Sequence, residues 1–316
     1  MRVSLKTHDG SPEKPVVVLI HGLGMNNYFW VDPKKCSVLG GLAPLTVFLA
    51  DPERMPANTL SFGSVGPKVE GLWNYLKAAG FSLVSWTQSQ PLGPIHIAIG
   101  ELEAALSAAA EKWPGRPVYL IGHSRGGLIA RSLLLGKPET DVKGLITICS
   151  PHSGTDMAKF SGYLKPAGSL LEKIIPRKSK VMLTKALGRL SEFLQSPAIG
   201  ELTPDSDYLK SINKPLPEQL KKLSFGGTSP ALFQLTVRLP ADNHKTIKFP
   251  DLLAAAVPSE HLPKELTPGL GDALVSAASA RLPDSTHHDF AFNHVRAAYD
   301  RNIHKLIVNF LSRDAR

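Results

Sequence analysis

The chain is poor in cysteine. Cys36 and Cys149 are the only two in 316 residues, too few for a disulfide framework or a cysteine-built zinc site. It also lacks any apolar run approaching the roughly 18 residues needed to span a bilayer. Residues 1–15 do not show the charged-then-apolar layout of a signal peptide, so the expectation is a cytoplasmic protein unless a leader has been removed. Internal repeats and low-complexity tracts are missing as well. With 43% hydrophobic and 20% charged residues, the composition is that of a globular chain and excludes wholesale disorder. Two things are in surplus. Proline reaches 26 residues of 316, above a typical share of about 5%, which points to many punctuated loops. The 36 Lys+Arg against 27 Asp+Glu leave 36 − 27 = +9, a charge compatible with nucleic acid, anionic lipid or solubility alone.

Val16–Ile20 is a short, wholly apolar, mostly β-branched run that stops at His21-Gly22. Such a strand fits the interior of a parallel sheet covered on both faces. The signature returns at Phe81–Trp86, Pro117–Ile121 and Leu145–Cys149. Helical stretches lie between: Val69–Ala79, stopped by Gly80, and Ile95–Trp113, stopped by Pro114. Alternation of this kind predicts βαβ units in a doubly wound, mostly parallel α/β sheet. From about Thr155 to Thr228 no strand-like run is expected. Strand character resumes at Ala231–Leu239, and an amphipathic helix is expected over Asn302–Leu311. The organisation predicted is one α/β domain in two parts, 1–155 and 231–316, interrupted by a helical insertion over 156–230.

Gly122-His123-Ser124-Arg125-Gly126 fits G-x-S-x-G. The pattern is weak alone and gains weight from context, a buried strand before it and a helix, Gly127–Leu135, after it. A sharp strand-to-helix turn holds the serine in a strained conformation, and small flanking residues let neighbouring backbone pass close. The hydroxyl then stands at a helix N-terminus, where developing negative charge is stabilised. The partners of such a serine follow in the order Asp/Glu, then His. Asp272, in the turn Gly269–Val275, is the acid candidate, with Asp251 as rival. His294, after a short strand expected at Asp289–Asn293, is the base candidate. His287 and His288 are its rivals, with Asp284 or Asp289 as their acids, although their clustering reads as a polar loop or strand start. His21 reads as a brace for its loop rather than a base, and the neighbours His152 and Ser153 read as a strand-end loop.

The set His21-Gly-Leu-Gly, Gly-His-Ser124-Arg-Gly-Gly, Pro151-His-Ser-Gly-Thr155, Gly271-Asp272-Ala-Leu-Val and Asn293-His294 resembles the bacterial triacylglycerol lipase/esterase branch of the α/β-hydrolases. Pro197–Ser206 is similar to a segment of the cap region in such lipases. The resemblance runs from residue 16 to the C-terminus, and its motifs are specific jointly. It implies an α/β-hydrolase fold with a helical cap or lid, carboxylic ester hydrolysis through Ser124, Asp272 and His294, and an acyl-enzyme intermediate. It also implies an oxyanion hole from the N–H groups of Leu23 and Arg125, and no metal, nucleotide or flavin. The same triad would serve an acyltransferase or thioesterase; a non-catalytic lipid-binding module is the alternative from another class. Two departures stand out: Arg125 sits where the family often has Met, Gln or His, and Gly271-Asp272-Ala273 replaces the more usual Asp-Gly.

The charge surplus has an address. Residues 157–195 hold Lys159, Lys165, Lys173, Arg177, Lys178, Lys180, Lys185 and Arg189 against Glu172 and Glu192, 8 − 2 = +6. They coincide with a stripe of Leu183, Leu187, Leu190 and Leu194, widened by Ala186 and Phe193. A basic amphipathic cap points to transient contact with an anionic lipid surface, and the resemblance implies an ester or lipid substrate. Arg177-Lys178-Ser179-Lys180 is too short, and too free of aromatic residues, to argue for nucleic acid.

Overall fold

The structure, a computed structural model, describes residues 3–41, 43–48, 60–62, 69–156, 188, 193–232, 234–238, 244–248, 251 and 262–312. Seven strands form the central sheet: β1 (Leu5–His8), β2 (Val16–Ile20), β3 (Ser82–Trp86), β4 (Val118–His123), β5 (Val142–Ile148), β6 (Lys221–Gly227) and β7 (Thr286–Phe290). Their spatial order is β1-β3-β2-β4-β5-β6-β7. Only β1 runs antiparallel, along the edge of β3; all other pairs are parallel. Every residue of β2, β3 and β4 is buried, which is why these strands read as mainly apolar runs rather than as alternating ones.

The four longest helices among the described residues are α1 (Leu72–Ala78), α2 (Ile95–Lys112), α3 (Arg125–Leu135) and α4 (Arg301–Ser312). Helix α3 packs on β2, β4 and β5 and against α2, while α1 packs on β3 and against α4. The α2 helix buries Ile95, Ala98, Leu102, Ala105, Leu106 and Ala109, an i, i+3, i+4, i+7 stripe of the kind that docks a helix onto a core. The chain passes from β2 outward to β3 and then returns past β2 to β4. That reversal opens a crevice at the carboxyl ends of β2 and β4, where ligand sites of open α/β sheets form. Among the described residues no helix is long and apolar enough to cross a membrane.

Two sequence expectations need correction. A central strand, β6, lies inside the stretch where none was expected, because Lys-Lys-Leu-Ser-Phe-Gly-Gly carries only two large apolar side chains. Its buried Ser224 is satisfied by Ser285 and His287, each at 2.7 Å. Its glycines are demanded by neighbours: a Cβ at Gly226 would lie 2.2 Å from Asp289 Oδ1, and one at Gly227 would lie 2.6 Å from Asp272 Cβ. The strand expected at Ala231–Leu239 does form, over Gln234–Arg238, but in a separate three-stranded sheet with Leu60–Phe62 and His244–Lys248. The last strand is Thr286–Phe290, so His287 and His288 lie within it. Leu183, Ala186, Leu187, Leu190 and the eight basic residues counted between 157 and 195 lie outside the described residues. Phe193 and Leu194, which follow them, are buried in the core.

Candidate active site

Ser124 follows β4 and opens α3. Its backbone sits at φ 55°, ψ −127°, the left-handed half of the map that a non-glycine residue adopts only when its surroundings force it. The forcing is visible. Ser124 N–H donates to Ile148 O at 2.9 Å, fixing the turn on β5. A Cβ at Gly122 would meet Gly127 N at 2.4 Å, and one at Gly126 would meet Ile20 O at 2.3 Å. The two glycines of G-x-S-x-G are therefore places where β2 and α3 backbone occupy the side-chain volume. Gly126→Ala is expected to destabilise the fold by at least the roughly 1–3 kcal/mol typical of overpacking, measured as a drop in denaturation midpoint. An unchanged midpoint would mean that the turn yields.

Asp272 is wholly buried. Its Oδ1 accepts the N–H groups of Leu274 and Val275 at 3.0 and 2.8 Å, and its Oδ2 faces His294 Nδ1 at 2.9 Å. The backbone repeats the tie, with His294 N–H donating to Asp272 O at 2.9 Å. Glu265 O accepts Ala273 N–H at 2.9 Å, and Thr155 Oγ1 donates to Leu274 O at 2.6 Å, so the Pro151–Thr155 segment buttresses this turn. Ala273 holds φ 88°. That conformation favours glycine, which is the physical content of the departure from Asp-Gly noted in the sequence.

Sequence reading missed the role of His123. Buried beside Phe29 with ring centroids 4.5 Å apart, it donates from Nε2 to the carbonyl of His294 at 2.9 Å. Burial and the nearby His294 push its pKa well down, so it acts as a neutral prop for the backbone of His294. The partners are 171 positions apart, a pairing that no local pattern carries. His21 braces its loop. Its Nδ1 donates to Gly22 O at 2.9 Å, its Nε2 accepts Gln88 N–H at 3.1 Å, and Gln88 Nε2 returns a bond to His21 O at 3.0 Å.

Ser124 and His294 line one apolar cavity together with Leu23, Met25, Phe48, Phe193, Ile199, Leu202 and other aliphatic residues. Among the described residues that line it, Ser124, Thr155 and His294 are the only polar ones and none carries a carboxylate or an ammonium group. No hydrogen bond joins Ser124 Oγ to His294 among the described residues; such bonds commonly tighten only when substrate is bound. Leu23 lies in the same wall, and a Cβ on its neighbour Gly22 would stand 3.0 Å from Ser124 Cβ. The backbone N–H groups of Leu23 and Arg125 donate to no acceptor among the described residues. The rivals lie elsewhere. His287 is held between Ser224 Oγ at 2.7 Å and Asp289 Oδ1 at 3.0 Å, His288 stacks on Phe225, and Asp251 and Asp284 are exposed. His152 is buried, with Nε2 3.1 Å from Thr147 Oγ1. Cys149 Sγ, Asp272 and His294 offer ligand atoms within 4.8 Å of one another. Burial and the Asp272 carboxylate push the thiol well above its usual pKa, and Asp272 and His294 already engage each other, so this set is poorly suited to a cation.

The buried histidines predict an acid-sensitive fold. Burial lowers His21 from its usual 6.5 to about 4 and His152 to about 3. Since the folded pKa values lie below the unfolded ones, the unfolded chain takes up protons first. Their contribution to stability is full above about pH 6.5 and is lost as pH falls toward those folded values. Urea denaturation in steps from pH 7.5 to 4 should show stability falling steadily below 6.5; a flat profile would contradict it.

Comparison with known proteins agrees with this architecture. A family model described as serine aminopeptidase, S33, matches residues 93–203, the span that includes Ser124. No curated protein sequence matches the chain. Among solved structures, the mature form of Bacillus licheniformis lipase BlEst2 superposes over 98% of this chain and 98% of its own, with a TM-score of 0.59 and 16% identity. The chain has the α/β-hydrolase fold. A second solved structure, the metagenomic carboxyl esterase MGS0156, superposes over 97% of this chain and 78% of its own at a TM-score of 0.51 and 14% identity. In an α/β-hydrolase the strand-to-helix turn of G-x-S-x-G presents its serine above the sheet; here that turn is Gly122–Gly126.

Proposed function

We propose that the protein is a serine hydrolase that cleaves carboxylic esters with an apolar acyl group. The observation that carries this reading is the 2.9 Å Asp272–His294 pair beside an elbow serine, with His294 and Ser124 in one apolar cavity. With Nδ1–H donated to Asp272, the lone pair of His294 resides on Nε2, the atom that takes the proton of Ser124 Oγ as it attacks the ester carbonyl. The oxyanion that forms is met by the N–H groups of Leu23 and Arg125, each worth about 3–4 kcal/mol in comparable sites. His294 then protonates the leaving alcohol and activates water to cleave the acyl-enzyme. Asp272 holds the imidazole in its tautomer and does not itself take the proton. On the sequence of residues 157–195, the cap is placed in the insertion after Asp156, and its +6 surplus supports contact with anionic lipid.

The family-model description suggests a second reading, removal of an N-terminal residue from a peptide. That chemistry needs an acidic group to receive the substrate ammonium. Three carboxylates are engaged elsewhere: Asp272 with His294, Glu265 with Asp156 N–H at 3.0 Å, and Glu201 with Arg125. A series of p-nitrophenyl esters from acetate to palmitate, set beside aminoacyl p-nitroanilides, separates the two. The proposal expects turnover of esters and none of the anilides; the reverse pattern would replace it by the aminopeptidase reading.

A further inference from the structure

The reaction just described uses only the backbone N–H of Arg125, yet its guanidinium is completely buried. Burying a fixed cation is unfavourable unless partners are arranged for it. Nη2 donates to Gly93 O and lies 3.6 Å from Glu201 Oε2, while Nη1 reaches Pro91 O at 3.5 Å. These carbonyls belong to one tight turn, closed by Gly93 N–H to Gln90 O at 2.9 Å. The same Pro91 carbonyl accepts Gly24 N–H at 2.9 Å, and Gly24 follows Leu23. Glu201 accepts Ile95 N–H at 3.1 Å, at the start of the 18-residue α2 helix, so the anion that faces Arg125 is itself seated on a helix N-terminus. The guanidinium does not line the cavity. Its positive charge is therefore spent on these partners rather than on the pocket.

We propose that Arg125 is a positioning residue for the oxyanion hole. Its backbone offers one donor, and its side chain holds the turn that anchors the loop bearing the other, so one residue sets the spacing between the two N–H groups. The proposal rests on the ester-hydrolase reading. It also accounts for arginine at a position where Met would offer no donor and where Gln or His could not reach two carbonyls and a carboxylate together.

The test compares wild type with Arg125→Met, Arg125→Lys and Glu201→Gln. Hydrolysis of p-nitrophenyl butyrate, normalised to titrated active sites, is measured beside inhibition by a butyl trifluoromethyl ketone, whose tetrahedral adduct needs the same hole. Arg125→Met is expected to lose about ten- to hundredfold in kcat with KM little changed, less than the loss on deleting a donor outright. Ketone affinity should fall in parallel. Lys should recover part of both, and Glu201→Gln should show a smaller loss in the same direction. Unchanged kcat per active site in Arg125→Met, or a fall in kcat without a fall in ketone affinity, overturns the proposal even if the variant melts earlier. Should Arg125→Met fail to fold, the isosteric Glu201→Gln decides the question by the same two readouts. A wild type without Ser124-dependent turnover would instead sink the parent reading.

Discussion

Ser124→Ala should reduce kcat on p-nitrophenyl esters by about 10⁶-fold, leaving only the residual catalysis of binding and the oxyanion hole. The size follows from the mechanism. In the proposed mechanism the hydroxyl is the group that bonds to substrate, and without it His294 and Asp272 have nothing to activate. The substitution should leave the fold intact, because the strained φ of 55° is imposed by Gly122, Gly126 and the bond to Ile148 O rather than by the hydroxyl. Thermal unfolding measured alongside kinetics separates loss of chemistry from loss of structure. Alanine with more than about a hundredth of wild-type kcat would mean that the nucleophile lies elsewhere.

Asp272→Asn is the second large effect, expected to cost about 10⁴-fold in kcat near neutral pH. The local geometry makes its consequence unusually determinate. Oδ1 of Asp272 accepts two backbone N–H groups, from Leu274 and Val275, so an asparagine must point its oxygen there. Its NH₂ group is then forced toward His294 Nδ1, a donor facing the atom that should itself donate. The imidazole must switch to the tautomer with its proton on Nε2, and the base is lost where Ser124 needs it. His287→Ala, by contrast, should leave kcat within about twofold, because His287 is engaged by Ser224 and Asp289 away from the cavity. A larger loss in His287→Ala than in Asp272→Asn would transfer the base assignment.

The parts of the molecule legible from sequence were those whose physics is local. Val16–Ile20 announces a strand buried on both faces, and Gly122–Gly126 announces a sharp turn, because each pattern is written in consecutive residues. The β6 strand was not legible. Its burial depends on Ser224 finding Ser285 and His287, and its glycines on Asp289 and Asp272, all more than 40 positions away. The strand at Gln234–Arg238 had the right local character, but its sequence carried no sign of its partners and so none of the sheet to which it belongs. The same distinction divides the site. Ser124, Asp272 and His294 could be named as candidates by motif and order. The prop from His123 to His294 O, the seat of Glu201 on Ile95 N–H and the tie from Thr155 to Leu274 O are long-range pairings with no local signature. Arg125 marks the boundary between the two. Its oddity showed in the sequence, but its direction, away from the cavity and onto the Pro91–Gly93 turn, depended on the fold.

The most direct test of the account is covalent trapping. Treated with diethyl p-nitrophenyl phosphate, the wild-type protein should release one equivalent of p-nitrophenol and lose ester turnover. Peptide mass spectrometry should then place a single diethylphosphoryl group on Ser124, with no label on Ser124→Ala. A protein that hydrolyses esters while Ser124 stays unlabelled, or one labelled elsewhere with turnover lost, would contradict the claim that this serine is the nucleophile.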